Sequence, residues 1–231
     1  MTLQAVPTST LPPTPTPEPT FTPTPQVVPA GSALTKNDDG FITFIDMKGG
    51  YQFAISDAWL PLRINEQEFL DAWLLPIASD PAFQRLLGSV QNQDPARFRL
   101  FAVDANEEHI DGGFVTNINF LWEDQEELSL EDSDGLTQVA DALPDSLPGI
   151  EVLAIQINTL EDATPFGVIT SRLPATTLDG EDVVIAQKQV FFDLPVGTLV
   201  VTLSTTETWQ ETIEPSFDEM IETFTFVKTG E

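Results

Sequence analysis

Residues Val183 to Val227 read VVIAQKQVFFDLPVGTLVVTLSTTETWQETIEPSFDEMIETFTFV, and this stretch decides the fold. Two apolar runs, Val183 to Phe192 and Thr198 to Thr205, flank Asp193-Leu194-Pro195-Val196-Gly197, where proline pre-sets the turn and glycine relaxes at its exit. This predicts a β-hairpin. In the second run Leu199, Val201 and Leu203 alternate with Thr198, Thr202 and Ser204, so one face can be buried while the other meets water or a helix. Phe217, Met220, Ile221 and Phe224 then follow at the spacing of an apolar helix stripe. Ser216 and Glu219 make a capping box that starts this helix, with Pro215 just ahead. Thr225 to Lys228 returns as a short strand. Such a unit implies a sheet with a helix lying on it, and the upstream chain must complete that sheet.

Upstream, Phe41 to Asp46 and Tyr51 to Ser56 surround Lys48-Gly49-Gly50 as a second hairpin. Asn65, with Glu68 three residues on, is the predicted cap of a helix that puts Phe69, Leu70, Trp73, Leu74 and Ile77 on one face and ends at Pro76. Asp80-Pro81 reads as the cap and first position of another helix, with Phe83, Leu86, Leu87 and Val90 at helical spacing. Phe98 to Val103 and Phe114 to Trp122 form a hairpin around the polar loop Asp104 to Gly113. Leu136, Val139, Ala140 and Leu143 are a helical stripe stopped by Pro144, and Ile150 to Ile157 pairs with Phe166 to Leu173. Short turns between strands argue for an antiparallel sheet. The fold class is therefore α+β, an antiparallel β-sheet flanked by helices.

The first 35 residues differ in kind. Leu11 to Pro25 reads LPPTPTPEPTFTPTP, whose prolines remove amide donors and favour an extended polyproline II spacer. Residues 1–35 are expected to be a disordered tether and residues 36–231 a single domain. The spacer resembles the Thr/Pro stalks of secreted bacterial proteins. Met1 to Val6 shows no basic or apolar signal segment, so an export signal or lipid anchor is expected to be missing from this sequence. The alternative is a cytoplasmic protein with a disordered tail.

Nine Lys and Arg stand against 37 Asp and Glu, giving a net charge of −28 that repels phosphate backbones and anionic head groups. Nucleic acid is excluded as a partner by that charge, and a membrane is approached only through an anchor. Glu18 is the only charged side chain up to Thr35, so the acidity belongs to the domain. Without cysteine there is no disulfide, thiolate zinc site or cysteine nucleophile.

Gly50-Tyr51-Gln52-Phe53-Ala54-Ile55-Ser56-Asp57-Ala58-Trp59 is similar to the opening strand of PsbP-like domains, with its G-[FY]-x-[FI]-x-[IV]-P-x-G-W pattern. Ser56 and Ala58 depart from its Pro and Gly. The ending, Leu199 to Leu203, Phe217 to Ile221 and Phe224-Thr225-Phe226, resembles that group's closing strand, helix and strand, with Thr223 where Ser is usual. The resemblance implies an α/β/α sandwich in a group of binding and assembly factors that includes bacterial lipoproteins. It implies no shared catalytic residues.

Motifs for chemistry are missing: there is no G-x-S-x-G elbow, Gly-rich phosphate loop, H-E-x-x-H or EF-hand pattern. The single histidine, His109, sits in the loop Asp104 to Gly113, where a solvated imidazole is the commoner reading than a general base. Asp104, Asn106, Glu108 and Asp111 of that loop are the candidate calcium ligands, and calcium is the one possible cofactor. Glu123, Asp124, Glu126, Glu127, Glu131, Asp132 and Asp134 form a second acidic run, expected to be a solvated loop. Trp73, Trp122 and Trp209 are the candidate ligand-binding aromatics, with Trp73 and Trp122 also fitting a core and Trp209 the best placed for exposure. Two functions follow from this. The favoured one is a non-catalytic extracytoplasmic binding or assembly module tethered to the cell surface, its protein or small-molecule partner unknown. The alternative is a secreted hydrolase acting through carboxylates.

Overall fold

The computed structural model describes residues 31–124, 128–177 and 180–227. Most of the expected tether, two carboxylates of the second acidic run (Glu126 and Glu127), and Lys228 lie outside the described residues. In chain order the elements are β1 (Ser32–Lys36), β2 (Ile42–Asp46), β3 (Tyr51–Ile55), β4 (Trp59–Leu62), α1 (Gln67–Ala72), α2 (Pro81–Val90), β5 (Phe98–Asp104), β6 (Asn117–Glu123), α3 (Asp134–Ser146), β7 (Glu151–Thr159), β8 (Pro165–Thr176), β9 (Asp182–Asp193), β10 (Thr198–Thr206), α4 (Gln210–Glu222) and β11 (Thr225–Phe226).

Every strand pairing is antiparallel, and the strands divide between two sheets. The larger has the order β4-β5-β6-β10-β9-β8-β7, and the smaller the order β1-β2-β3-β11. The β9–β10 hairpin lies at the centre of the large sheet in the expected register, from Asp193 opposite Thr198 to Ile185 opposite Thr206. Its turn closes with the Leu194 amide donating to the Gly197 carbonyl at 3.0 Å. Gly197 has φ +75°, and a Cβ there would stand 2.1 Å from the Glu123 carbonyl oxygen, so no other residue fits this turn.

Alternation along the central strands sends side chains to cores on both faces of the large sheet. Leu199, Val201 and Leu203 of β10, Val190 and Phe192 of β9, and Leu100 and Ala102 of β5 face the small sheet and α4. There Phe53 meets Phe120 edge-on at 5.1 Å, and Phe192 stacks on Phe224 at 4.0 Å. The opposite face of the large sheet is covered at the β4–β5 end by α1 and α2, which bury Phe69, Phe83 and Leu87 against Phe101 and Val103. Toward the β7–β8 edge it is covered by α3, which buries Leu136 and Ala140 against Ile169 and Phe191. The chain is an α+β fold with helices on both faces of its main sheet.

Several boundaries differ from the sequence reading. Ser32–Lys36, assigned above mostly to the tether, pairs with Ile42–Asp46, so ordered structure reaches Ser32 rather than Lys36. The last helix starts at Gln210, and Pro215 lies inside it, so Ser216 and Glu219 are not its cap. Ile213 joins Phe217, Met220 and Ile221 on the buried stripe, and that packing outweighs one missing amide donor. Ser216 instead donates to the Ile213 carbonyl and accepts from the Trp59 indole. The closing strand pairs with β3, not with the hairpin. Pro144 also lies inside its helix, which runs on to Ser146. Asn65 is no cap either: it has φ +66°, and α1 spans only six residues with Leu70, Trp73 and Leu74 exposed.

The two sheets are joined by an ion pair that no local pattern reveals. Asp46 of β2 and Arg99 of β5 are both buried, and Arg99 Nε and Nη2 donate to the two carboxylate oxygens at 2.5 and 3.1 Å. The same carboxylate accepts the Lys48 and Gly49 amides at 2.9 and 3.0 Å and the Tyr51 hydroxyl at 3.3 Å. Burial, helped by the Asp46 charge beside it, pushes the Tyr51 phenol well above its ordinary pKa. On the other flank of the core, Lys188 of β9 donates to Glu214 and Asp218 of α4 at 2.8 and 2.6 Å. Burial would depress this ammonium, but the hydrogen bonds and charges of Asp218 and Glu214 overcome it and its pKa is raised.

Candidate functional site

A cleft of about 300 Å³ lies between α2, the loop Gly113 to Val115 and the outer end of the β8–β9 hairpin. Its walls are apolar: Ala82 and Leu86 of α2, Phe114 and Val115 of the loop, and Ala175, Val183 and Ile185 of the hairpin. Arg85, Thr176 and Thr177 supply the polar part of the lining. Each wall follows from local sequence. Asp80 caps α2 by accepting the Ala82 amide at 2.6 Å, and Pro81 opens the helix, which fixes where Leu86 points. The loop is brought onto the hairpin through Gly112, where a Cβ would stand 2.8 Å from Val183 Cγ1. An apolar hollow with a few polar groups is the ordinary form of a small-ligand or side-chain site, and 300 Å³ is at the small end of that range.

His109 is not solvated as expected. Its Nδ1 lies 2.5 Å from Oδ2 of Asp104, its ring packs on Trp209 at 4.5 Å, and its Nε2 lies 3.1 Å from Asn106 Nδ2. An amide nitrogen only donates, so Nε2 is the acceptor and Nδ1 carries the proton toward Asp104. With both ring nitrogens engaged, the imidazole fastens the loop to the start of α4 and has no lone pair free for general-base work. The sequence hid this because Trp209 is 100 residues from His109.

The Asp104 carboxylate is likewise committed to local bonds. Oδ1 of Asp104 accepts the Asn106 amide at 2.9 Å, and Asn106 Oδ1 accepts the Glu108 amide at 3.1 Å. The Asp111 backbone forms a bridge with Phe114. Among the described residues no group of three or more His, Asp or Glu side chains is placed to hold a metal ion.

The three tryptophans do not share a site. Trp122 is buried, paired with Leu199 at one end of β10, and donates to the Val196 carbonyl at 2.8 Å. Trp209 follows the other end of that strand. Leu199 and Thr206, at those two ends, are seven residues apart, roughly 23 Å at about 3.3 Å per residue. Trp209 is partly buried rather than exposed, and Trp73 is exposed rather than core. A second hollow of about 370 Å³ is walled by Glu161, Glu219 and Glu222 together with Leu160, Phe166 and Thr223.

No protein-family model matches the chain, and no curated protein matches it. Solved structures do. Cyanobacterial PsbP (CyanoP) from Synechocystis is 14% identical over 89% of this chain and 98% of its own, with a TM-score of 0.49. LpqN of Mycobacterium tuberculosis, described as involved in cell envelope biogenesis, is 13% identical over 85% of this chain and 90% of its own, with a TM-score of 0.44. The Ran-binding protein Mog1p of Saccharomyces cerevisiae is 11% identical over 86% of this chain and 96% of its own, at 0.43. The fold is similar to that of PsbP and Mog1. At these identities the likeness concerns the fold alone.

Proposed function

We propose that this protein is a non-catalytic binding module of the extracytoplasmic space, held at the cell surface by its Pro/Thr-rich segment, and that the cleft between α2 and the β8–β9 hairpin receives the apolar part of its ligand. The cleft carries this reading, because it combines apolar walls, a polar lip and preformed backbone. Support for the tether comes from the proline-rich composition of residues 11–25, and support for an extracytoplasmic site from the acidic, cysteine-free domain. The histidine argues against catalysis, since both of its nitrogens are engaged. A carboxylate-dependent hydrolase would instead work from a carboxylate-lined hollow such as the one walled by Glu161, Glu219 and Glu222.

A small neutral apolar probe such as N-phenyl-1-naphthylamine tests the reading. Its fluorescence is expected to rise saturably with one site per chain, and at 100 times its Kd it should stabilise the fold by about 2.7 kcal/mol. A chain that binds no probe and shows no rise in melting temperature would remove the cleft as a ligand site.

A further inference from the structure

On the surface of α1 and the turn that follows it, Leu70, Trp73, Leu74 and Leu75 stand 53, 37, 83 and 37% exposed. Half of the large apolar side chains exposed among the described residues fall in these six positions. The short helix explains the arrangement. Phe69 and Ala72 point into the core, which leaves Leu70 and Leu74, one turn apart, on the outer side. The turn stays helical through the Leu74 amide to the Asp71 carbonyl, 2.9 Å, so these side chains are held as one surface. Large apolar side chains exposed together within six residues in this way mark a contact site.

The surrounding charge selects the partner. Residues 63–80 carry Glu66, Glu68, Asp71 and Asp80 against Arg63, whose guanidinium is engaged by Glu68. A second copy of this chain would bring like charges together, and an anionic bilayer would be repelled. We propose that the α1 surface docks a protein segment presenting leucine-like side chains flanked by lysine or arginine. This rests on the binding-module reading and names the partner class for a surface separate from the cleft.

The test is calorimetric titration of the full chain with a synthetic amphipathic peptide of leucine and lysine, beside a control peptide with serine for leucine. The expected result is binding by the wild type that weakens at least tenfold in Leu74→Ser, in Leu70→Ser and with the control peptide. Both variants change exposed positions, and an unaltered melting temperature confirms that they fold. No binding, equal binding by Leu74→Ser, or equal binding of the serine control would overturn the proposal. So would tight binding of phosphatidylglycerol vesicles, a wild-type dimer that Leu74→Ser dissociates, or a tenfold gain in affinity on deleting residues 1–30, which would make the surface a site for lipid, for a second copy or for the chain's own amino-terminal segment. Failure here with probe binding intact sinks this proposal alone, and loss of probe binding sinks only the cleft.

Discussion

Asp46→Ala is expected to destabilise the protein by about 3–5 kcal/mol in chemical denaturation, a large part of the stability of a domain this size. The cost comes from the partner left behind. Arg99 is 3% exposed, and without Asp46 its guanidinium would keep the Pro95 and Ala96 carbonyls as acceptors but lose the buried carboxylate that takes its Nε and Nη2 hydrogen bonds between the two sheets. The amides of Lys48 and Gly49 and the Tyr51 hydroxyl would lose their acceptor at the same time. Replacing both charges, as Asp46→Ala with Arg99→Met, should cost less than Asp46→Ala alone, because the buried guanidinium goes together with the carboxylate it was paired with. A loss below about 1 kcal/mol for Asp46→Ala would show that the pair does not join the sheets.

Ile221→Asp is the second change of this size. Ile221 is 3% exposed in the core between α4 and the sheets, beside Phe217 and Phe224. A carboxylate there has no partner, so the expected loss is on the order of 4 kcal/mol, and the chain should unfold or fail to accumulate. Glu222→Lys, one residue on and exposed, is expected to stay within about 0.5 kcal/mol of the wild type. The reverse outcome would mean that the helix presents another face to the core.

These two positions differ in how far the sequence announced them. The α4 stripe and the β9–β10 hairpin were legible because each buries a local period, 3.6 residues in one and two in the other. Asp80-Pro81 was legible because a cap is a contact between near neighbours. Asp46 and Arg99 lie 53 residues apart, and nothing in either neighbourhood specifies the other. The same holds for His109 on Trp209, and for the division of the strands into two sheets. The α1 stripe failed for a different reason: Leu70 and Leu74 carry the spacing of a buried face, but spacing cannot say whether a partner belongs to the same chain. The cleft was the least legible feature, since its walls come from three separate segments, each of which reads as ordinary core or loop on its own.

The claim that the cleft between α2 and the β8–β9 hairpin is the binding site is tested most directly by titrating the neutral apolar probe into wild type and Ala175→Trp. Ala175 lies near the outer end of β8 and lines the cleft, so the indole fills the hollow from its rim without entering the core. The expected result is an unchanged melting temperature without probe and an affinity at least tenfold weaker, a change of about 1.4 kcal/mol. Equal affinity in the two proteins would contradict it and would place the binding surface elsewhere.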